Sequence, residues 1–384
     1  MDFSLSKSQI EIQKAASAFA KGEFDKDAGL KMEKEGRYPE ETLRKACDLG
    51  FIGIHFPEQY LGAELGLFEN CLISESLCRR DSTMGLALCL TGPGAECILR
   101  AGNTAQKEKY LPGVADGTLF TAIAFAEPGQ GFDLRGLQTT ALKNGEGWVI
   151  NGKKPLVLNG GTAGVYMVLC QTDPAADNPD PQMSLFAVDA DAGGLSWKDA
   201  GRRIGCNMLS AADIFLDNVR VGPDSLVGDK GAGLALASAC YKELHVLLAA
   251  QAVGIAQGAY DRALDYIRQR EQFGKKIGAF HISWHKIADM ATRIEYARTL
   301  VYRAAWAFDS GKLDYSLAAM AKMTAAQTAL AVAYEAVQFF GGYGFTTEYE
   351  VEHFYRDAKF VDLFLGSANT QKELIAQMIL GKMK

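Results

Sequence analysis

The sequence has 384 residues, a formal net charge of −6, 48% hydrophobic residues and 22% charged residues. A chain of this length suggests two or three packed domains, and the ordinary globular composition argues against long disordered segments. The acidic balance disfavours nucleic acid as a partner, because neutralising phosphates requires clustered Lys and Arg.

Eight cysteines are scattered along the chain without a Cys-x-x-Cys pair. Most of them lie in apolar contexts, which predicts buried free thiols rather than disulfides or zinc ligands, and no metal site is expected. The N-terminal segment lacks a basic region followed by an apolar core, and no apolar run approaches the roughly 18 residues that span a bilayer. We therefore expect a cytoplasmic protein with no membrane span.

Residues 1–118 carry a helical pattern. Apolar residues recur three and four positions apart through residues 10–16 and 42–47, and the pattern breaks at His55-Phe56-Pro57. This pattern predicts an N-terminal α-helical domain.

Residues 119–228 change to the period of two that is typical of strands. Segments 139–143 and 148–150 lie on either side of Asn144-Gly145-Glu146-Gly147, which is a hairpin turn signal. The middle third is therefore predicted to be a β domain.

Residues 229–384 return to long helices. Residues 247–266 carry apolar side chains around most of the helix, as in an inner helix of a bundle, and residues 317–337 are similar. The sequence thus predicts an α+β multi-domain protein whose C-terminal domain is a helical bundle.

Three blocks near the C-terminus form a recognisable signature. They read Gln338-Phe339-Phe340-Gly341-Gly342, Arg356-Asp357-Ala358-Lys359 and Phe364-Leu365-Gly366-Ser367-Ala368-Asn369. They resemble the C-terminal signature of acyl-CoA dehydrogenases, which are flavoenzymes that desaturate acyl-CoA thioesters. The resemblance implies an N-terminal helical domain, a middle β-barrel and a C-terminal four-helix bundle. It also implies FAD as cofactor, an acyl-CoA substrate, an electron-transfer flavoprotein as acceptor and a homotetramer.

The residue that most of this family uses as a base is absent. In the family a glutamate removes the α-proton and precedes the glycine of the last block, where this chain has Leu365. Some family branches keep the base on the first helix of the C-terminal domain, at the position of Leu244. Leucine cannot carry a proton. The neighbouring Glu243 is rotated by roughly 100° around the helix, so we expect its carboxylate to point elsewhere, as a surface or inter-subunit charge.

The flavin-ring side of the site has changed in several places. Residues 126–133 resemble the family's Thr-Glu-Pro-Gly-Ala-Gly-Ser-Asp, a loop whose free backbone N–H groups bond flavin and phosphate oxygens. The threonine that touches the flavin is Ala126, and the serine that contacts the pantetheine is Phe132. The family's flavin-covering tryptophan and a nearby threonine correspond to aliphatic residues. The resemblance places the flavin ring beside Phe125, Ala126, Gly131, Leu156 and Leu158.

The side that holds the ADP part of FAD is intact. Arg270-Glu271-Gln272-Phe273-Gly274 resembles the family's Arg-x-x-Phe-Gly, in which the planar fork of arginine pairs with the pyrophosphate. A Gln-x-x-Gly-Gly block packs against the same region from a neighbouring subunit in the family. The resemblance therefore gives cofactor contacts to Arg270, Phe273, Gln338, Gly341 and Gly342, with Ser367 and Asn369 as stand-ins for a Thr and a Gln.

By the same resemblance, the thioester oxygen accepts a hydrogen bond from the backbone N–H of Leu365, so enolate stabilisation survives the change of side chain. A relocated base would come from residues 84–96, which line the inner end of the acyl pocket in the family. Glu96 is the only carboxylate in this segment and Thr91 is a polar neighbour; the alternative role for Glu96 is a helix-end charge. Contacts to the substrate are implied for Phe132, Tyr241, Leu244, His245 and Gly366.

Three functions remain open. The chain is an FAD-dependent oxidoreductase on a cyclic or conjugated acyl-CoA with a displaced base or a vinylogous 1,4-dehydrogenation, or a non-catalytic FAD-sharing subunit of a hetero-oligomer, or an acyl-CoA lyase or desulfinase. The apolar replacements favour a hydrocarbon acyl group such as a ring, because burying an unpaired polar group costs free energy. The three domains are expected at residues 1–118, 119–228 and 229–384.

Overall fold

The computed structural model describes residues 4–132, 134, 136–173 and 182–381. Asp133, the last residue of the glycine-rich block, lies outside the described residues.

The N-terminal part of the chain is helical, as the sequence predicts. The first helix begins where the Ser6 hydroxyl accepts the Gln9 N–H at 3.2 Å and the Gln9 side chain accepts the Ser6 N–H at 2.9 Å, a reciprocal cap that satisfies two orphan donors. The helices in the described residues are α1 (Lys7–Glu23), α2 (Lys26–Glu35), α3 (Glu40–Asp48), α4 (Leu67–Arg80), α5 (Ser82–Cys89), α6 (Ala95–Ala101) and α7 (Thr104–Ala115).

The middle of the chain forms one sheet. Its strands are β1 (Thr121–Ala124), β2 (Thr140–Asn144), β3 (Gly147–Leu158), β4 (Val165–Gln171), β5 (Met183–Asp189), β6 (Leu195–Asp199), β7 (Ala211–Val221) and β8 (Leu226–Val227). They lie in the order β6-β7-β3-β2-β4-β5-β8, and β1 pairs with β4 in parallel. Strand β2 also meets β4 in parallel, through Thr140 and Gln171. The remaining neighbours are antiparallel.

The predicted middle β-barrel is wrong in one respect, since within the described residues the end strands β6 and β8 do not pair with each other and the sheet stays open. Period-two alternation reveals that strands exist, but closure depends on which edges meet, and that information is not local in the sequence.

The C-terminal part is a helical bundle. A long helix, α8 (Gly233–Gln269), is followed by the short hairpin of β9 (Glu271–Gln272) and β10 (Lys275–Lys276). The bundle continues through α9 (His281–Asp309), α10 (Tyr315–Phe340), α11 (Val351–Leu363) and α12 (Ala368–Leu380). Helix α8 packs against α4 from the N-terminal part and against α10, so it joins the two helical regions.

Helix α8 is long and apolar enough, by length and composition, to cross a membrane, which the search of the sequence for apolar runs did not predict. However, 67% of its most apolar window is buried inside the protein. This burial is typical of a core helix.

Candidate active site

A cavity of about 50 Å³ lies between the N-terminal helices, α8 and the turn after α11, which is room for a few water molecules. Leu244 from α8 and Leu365 from the turn both line it, with 4% and 5% of their surface exposed. The two positions where the sequence lacks the expected base therefore face the same space. Most of the lining is apolar, but it also includes the polar side chains His55, Asn70, Ser74, Thr91, Glu96 and Gln251.

The turn that carries Leu365 is held in a strained conformation. Leu365 has φ +54°, in the left-handed region that a leucine rarely adopts. Its carbonyl oxygen is bonded by His245 Nε2 at 2.9 Å and by Gln371 Nε2 at 3.2 Å. The buried Lys322 Nζ donates to Asp362 O at 2.8 Å and Gly366 O at 2.5 Å. These contacts hold the strained turn, and within the described residues no protein acceptor bonds the Leu365 N–H.

His245 supports this turn as a neutral donor. Its ring stacks between Tyr241 and Tyr315, with ring centroids 5.9 Å apart on each side. Burial lowers the pKa of His245 to about 3, so the ring stays uncharged and donates through Nε2. The predicted substrate-contacting residues Tyr241, Leu244, His245 and Gly366 thus lie together, although the contacts of His245 are with the turn itself.

Glu96 lines the same cavity and is paired with a histidine. The carboxylate on α6 is 5% exposed, and its two oxygens lie 2.9 and 3.0 Å from His55 Nε2. Asn70 Nδ2 lies 3.2 Å from the other ring nitrogen of His55. Glu96 lies in the first turn of α6, so it is a charge at a helix end, as the sequence left open, but a buried and paired one. Thr91 is also buried, but its hydroxyl makes only a long bond of 3.4 Å to Leu88 O.

Glu243 is not among the described residues that line the cavity, in agreement with the expected direction of its side chain, but the expected surface charge is wrong. Its side chain is 1% exposed and accepts hydrogen bonds from Arg100 on α6, at 2.7 Å between Nε and Oε2 and through Nη2 as well. Helix α8 is buried around most of its circumference, so a rotation of roughly 100° leads from the cavity to another buried neighbour and not to solvent. Nitrogen and oxygen atoms of His55, Glu96 and Glu243 lie within 4.8 Å of one another.

The charges in this cluster are strongly coupled. Burial raises the pKa of Glu243 and repulsion by Glu96 adds to it, so that the pKa reaches about 8 despite Arg100. Burial also acts to raise the pKa of Glu96, but His55, Arg100 and a hydrogen bond from Glu243 outweigh it and lower that pKa. Burial alone would lower the pKa of His55, but attraction to Glu96 outweighs burial, so the pKa of His55 is raised. At neutral pH the cluster therefore holds an ionised Glu96 and a protonated Glu243.

Three known domain families match the chain. They are the acyl-CoA dehydrogenase N-terminal domain at residues 6–118, the middle domain at residues 122–219 and the C-terminal domain at residues 231–380. The chain belongs to the acyl-CoA dehydrogenase family. It is a flavoenzyme of the kind that acts on CoA thioesters.

Individual relatives agree along nearly the whole chain. An acyl-CoA dehydrogenase of Bacillus subtilis is 35% identical over 98% of this chain and 99% of its own length. The cyclohexane-1-carbonyl-CoA dehydrogenase of Geobacter metallireducens is 34% identical over 92% of each protein. The solved butyryl-CoA dehydrogenase of Megasphaera elsdenii is 32% identical, with a TM-score of 0.92 over 99% of this chain and 100% of that one. Complexes with FAD are among the similar solved structures, and FAD is the cofactor of this acyl-CoA dehydrogenase.

The loop that the sequence places beside the flavin ring is anchored from below. The buried Lys154 Nζ donates to Phe125 O at 3.0 Å and to Glu127 Oε1 at 2.8 Å. Glu127 also accepts the backbone N–H of Thr139 at 2.9 Å. Neither Lys154 nor Glu127 was a predicted site residue. The sequence did offer a signal for Lys154, because a lysine that is buried within a strand needs a buried partner.

The surface of this region is open and suited to a flat aromatic ligand. Leu156 is 64% exposed at φ +50°, while Leu158 is buried. Gly129 and Gly131 have positive φ, with no atom within 4 Å of where a Cβ would stand. An exposed leucine on a strained backbone beside open glycines fits an apolar ring face. By the family resemblance, Ala126 and Leu158 stand where hydroxyl groups are expected, so this surface offers fewer hydrogen bonds to a ring. Phe132 and Phe125 both contact Tyr241, with ring centroids at 5.9 and 5.5 Å.

The residues predicted to hold the ADP part form a second exposed patch. Within the described residues, Arg270 makes no ion pair, and its guanidinium lies 5.5 Å from the centre of the Tyr343 ring. Phe273 is 93% exposed at φ +52°. Gln338, Gly341, Gly342 and Asn369 are exposed and Ser367 is half-buried. An unpaired, exposed arginine beside an exposed phenylalanine fits a pyrophosphate and an adjoining ring.

Proposed function

We propose that this acyl-CoA dehydrogenase desaturates a compact, already α,β-unsaturated cyclic acyl-CoA, and that Glu96 is the base that accepts the proton. One observation carries the proposal. The cavity that has leucine at both family base positions, Leu365 and Leu244, contains a buried carboxylate elsewhere, at Glu96, whose oxygens lie 2.9 and 3.0 Å from His55 Nε2.

The apolar wall argues against ordinary α,β-dehydrogenation. A saturated acyl-CoA needs a base beside its α-carbon, and a positioned general base contributes roughly 10²–10⁴-fold to the rate. Leu244 and Leu365 offer no proton acceptor there. In an α,β-unsaturated thioester the γ-proton is also acidic, because the charge left by its removal extends through the double bond to the thioester oxygen.

Within this proposal, Glu96 takes the γ-proton and the developing charge is stabilised at the thioester oxygen by the Leu365 N–H. The turn that presents this N–H is already fixed by His245, Lys322 and Gln371, so little reorganisation is needed during the reaction. His55 keeps Glu96 ionised and oriented before the proton arrives. FAD, when bound, supplies the acceptor for the hydride that leaves the second β-carbon.

A ring satisfies these requirements better than a straight chain. Proton loss from a γ-carbon and hydride loss from a different β-carbon need an α-carbon with two carbon substituents, as in a cyclohexene-1-carbonyl group. The small cavity of about 50 Å³ also favours a compact acyl group. The relative that acts on cyclohexane-1-carbonyl-CoA, by its name, supports this choice of substrate class.

The cofactor contacts follow from the two exposed patches. We assign the flavin ring to Phe125, Ala126, Gly131, Leu156 and Leu158. The ADP part is assigned to the second patch, on a neighbouring copy of the chain in a homotetramer, with Arg270 on the pyrophosphate. By analogy with the family, the proposed electron acceptor is an electron-transfer flavoprotein, and the proposed location is the cytoplasm. The second patch comprises Arg270, Phe273, Gln338, Gly341 and Gly342, with Ser367 and Asn369 nearby.

The decisive experiment compares wild type with Glu96→Gln in stopped-flow flavin bleaching by cyclohex-1-ene-1-carbonyl-CoA. We expect the variant to lose at least roughly 10²-fold in rate while retaining flavin. Glu75→Gln is the matched control, because Glu75 is an equally buried carboxylate that pairs with Arg298 at 2.9 Å and does not line the cavity.

Equal bleaching rates in wild type and Glu96→Gln would remove Glu96 as the base. Bleaching of wild type by the saturated cyclohexane thioester alone would contradict the vinylogous reaction. The flavin content of the purified chain separates the enzyme from an FAD-sharing subunit: near one FAD per chain supports the enzyme, and flavin that binds only when a second protein is added supports the subunit.

A further inference from the structure

Four side chains form a continuous polar path that begins at the cavity. His55 and Glu96 line the cavity, whereas Glu243 and Arg100 are not among the described residues that line it. Glu243 is enclosed, with 1% of its side chain exposed, and Arg100 is 29% exposed. The path therefore leads from the cavity through a buried carboxylate to a partly exposed arginine.

The contacts define where a proton can sit on Glu243. Both Nε and Nη2 of Arg100 donate to the same oxygen, Oε2. The other oxygen, Oε1, is left to carry a proton. One oxygen of Glu243 and one of Glu96 lie within 4.8 Å of each other, and a hydrogen bond from Glu243 contributes to the lowered pKa of Glu96.

The charges on this path favour one proton for the two carboxylates. Two adjacent buried carboxylates resist simultaneous ionisation, and they titrate as a pair. His55 and the cation Arg100 contact the pair, at Glu96 and at Glu243 respectively. In the described part of the chain, other titratable neighbours of the cluster include Asp309, which interacts with His55, and three thiols: Cys97 and Cys240, whose sulfur atoms are 2.8 Å apart, and Cys71. A hydrogen bond with Cys97 raises the pKa of Cys240, and burial raises the pKa of Cys71, so these two remain neutral.

His55, Glu96 and Glu243 offer ligand atoms of the kind that bind metal ions. Yet each carboxylate already faces a basic side chain, with Arg100 beside Glu243 and His55 beside Glu96. A proton is thus the better occupant of the cluster than a divalent cation.

We propose that Glu243 is a positioning residue of the reaction: it holds the one proton of the carboxylate pair at rest and releases a proton toward Arg100 each time Glu96 accepts one from the substrate. This inference rests on the proposed role of Glu96. In the first step the substrate C–H bond breaks, an O–H bond forms on Glu96 and the electron pair stays on the substrate. Glu243 then gives its proton to water at the Arg100 side, and Glu96 passes the new proton to Glu243. The pair returns to one proton, and one hydronium ion leaves.

The resting proton is tested by infrared titration of the FAD-loaded protein, which needs no substrate. We expect wild type to show the carbonyl stretch of a protonated carboxylic acid, lost as the pH rises through about 8, and absent from Glu243→Gln. Glu75→Gln should retain it. In Glu96→Gln the band should disappear at a lower pH, because the repelling charge is gone. A band unaffected by Glu243→Gln would overturn the proposal.

The double variant Glu243→Gln/Arg100→Met removes the arginine that the single variant leaves unpaired, so it covers the case in which the single variant does not fold. The double variant should also lack the carbonyl band. A band that persists in the double variant would overturn the proposal.

The exit role is tested with a pH-indicator dye during a single turnover on cyclohex-1-ene-1-carbonyl-CoA. We expect proton release in Glu243→Gln to slow by roughly tenfold or more relative to flavin reduction in the same turnover. Unchanged release would refute the exit, and loss of flavin reduction itself would place Glu243 in proton abstraction instead. If wild type does not turn over this substrate, the proposed function fails, while the infrared band still decides whether Glu243 holds the proton.

Discussion

At the scale of single residues, Leu365 combines an apolar side chain with a strained backbone. Its φ is +54°, and its carbonyl oxygen accepts hydrogen bonds from His245 and Gln371. A carboxylate placed there would lie at the cavity that Leu365 lines. The backbone at this position is held by contacts to its carbonyl oxygen and not by the leucine side chain.

Leu365→Glu is expected to introduce α,β-dehydrogenation of saturated cyclohexane-1-carbonyl-CoA. Burial among Leu244 and its neighbours should raise the pKa of the new carboxyl, so activity should increase as the pH rises through that value. Flavin bleaching by the saturated thioester is the measurement. Leu363→Glu is the control, because Leu363 is 49% exposed on the same segment. No gain in a variant that binds flavin and thioester would mean that the α-carbon does not lie beside this turn.

The residues that sequence reasoning missed are informative in the same way. His55 was visible only as part of a break between helices, although a histidine within Phe51-Ile52-Gly53-Ile54-His55-Phe56 is a polar residue in an apolar run that needs a partner. Glu243 was misplaced because helical geometry gives the direction of a side chain but not what lies in that direction. Leu365 could be placed from the C-terminal motif and Glu96 as the only carboxylate within residues 84–96, and both line the cavity.

At the scale of elements, the junction of α4 and α5 is tied to α11 by a buried charge pair. Asp81 accepts the Met84 N–H at 2.9 Å as the cap of α5, and it lies 3.4 Å from His353 Nε2. Burial acts to raise the pKa of Asp81, but His353 and the cap bond outweigh it and lower the pKa to about 2. Burial alone would lower the pKa of His353, but attraction to Asp81 outweighs burial, so the pKa of His353 is raised. Asp357 and Arg262 also act on His353, in opposite directions.

This pair should give stability a defined pH window. The Asp81 contribution, roughly 2 kcal/mol, is present above its ordinary pKa of 3.8 and is lost as the pH falls towards 2. The His353 contribution is complete below its ordinary pKa of 6.5 and is lost as the pH rises through the raised pKa. Hence the pair stabilises most between these two ordinary values.

His353→Gln is expected to remove the loss of stability that the Asp81–His353 pair causes in wild type as the pH rises. The free energy of unfolding, measured in urea at about pH 5.5 and about pH 9, should fall more for wild type than for the variant. His281→Gln is the comparison, because His281 is at the start of α9 outside this charge pair. An equal fall in wild type and His353→Gln would show that this pair does not set the alkaline limit.

The elements themselves were largely predictable. Helical periodicity and caps such as Ser6 with Gln9 are local features, and the three-part order of helices, strands and helices is confirmed. The closed barrel was not, because the pairing of β1 with β4 and the free ends at β6 and β8 are set by contacts between distant segments. Local sequence carries little information about such contacts.

At the scale of the whole molecule, the exposed patch around Arg270 is expected to control how much FAD the protein retains. Arg270→Ala removes a charge-assisted bidentate contact, which costs roughly 1.5–3 kcal/mol. The flavin-to-protein absorbance ratio after gel filtration should fall, and the assembly should weaken with it. Arg268→Ala is the matched control, since Arg268 is exposed near the same end of α8 and pairs only with Asp265 at 3.7 Å. Full flavin retention by Arg270→Ala would remove Arg270 from the cofactor site.

Helix α8 is long enough to separate the cavity from the ADP-binding patch of the same chain. Leu244 lines the cavity and Arg270 follows the last residue of the helix, so the two are separated by roughly 40 Å at a rise of 1.5 Å per residue. An extended FAD molecule is shorter than that distance. On the proposed roles, the two ends of one chain therefore serve different cofactor molecules. Chains damaged at opposite ends would then complement each other in a mixed assembly, as alleles of one gene do, and a cell that carries both would regain some of the activity that neither provides alone.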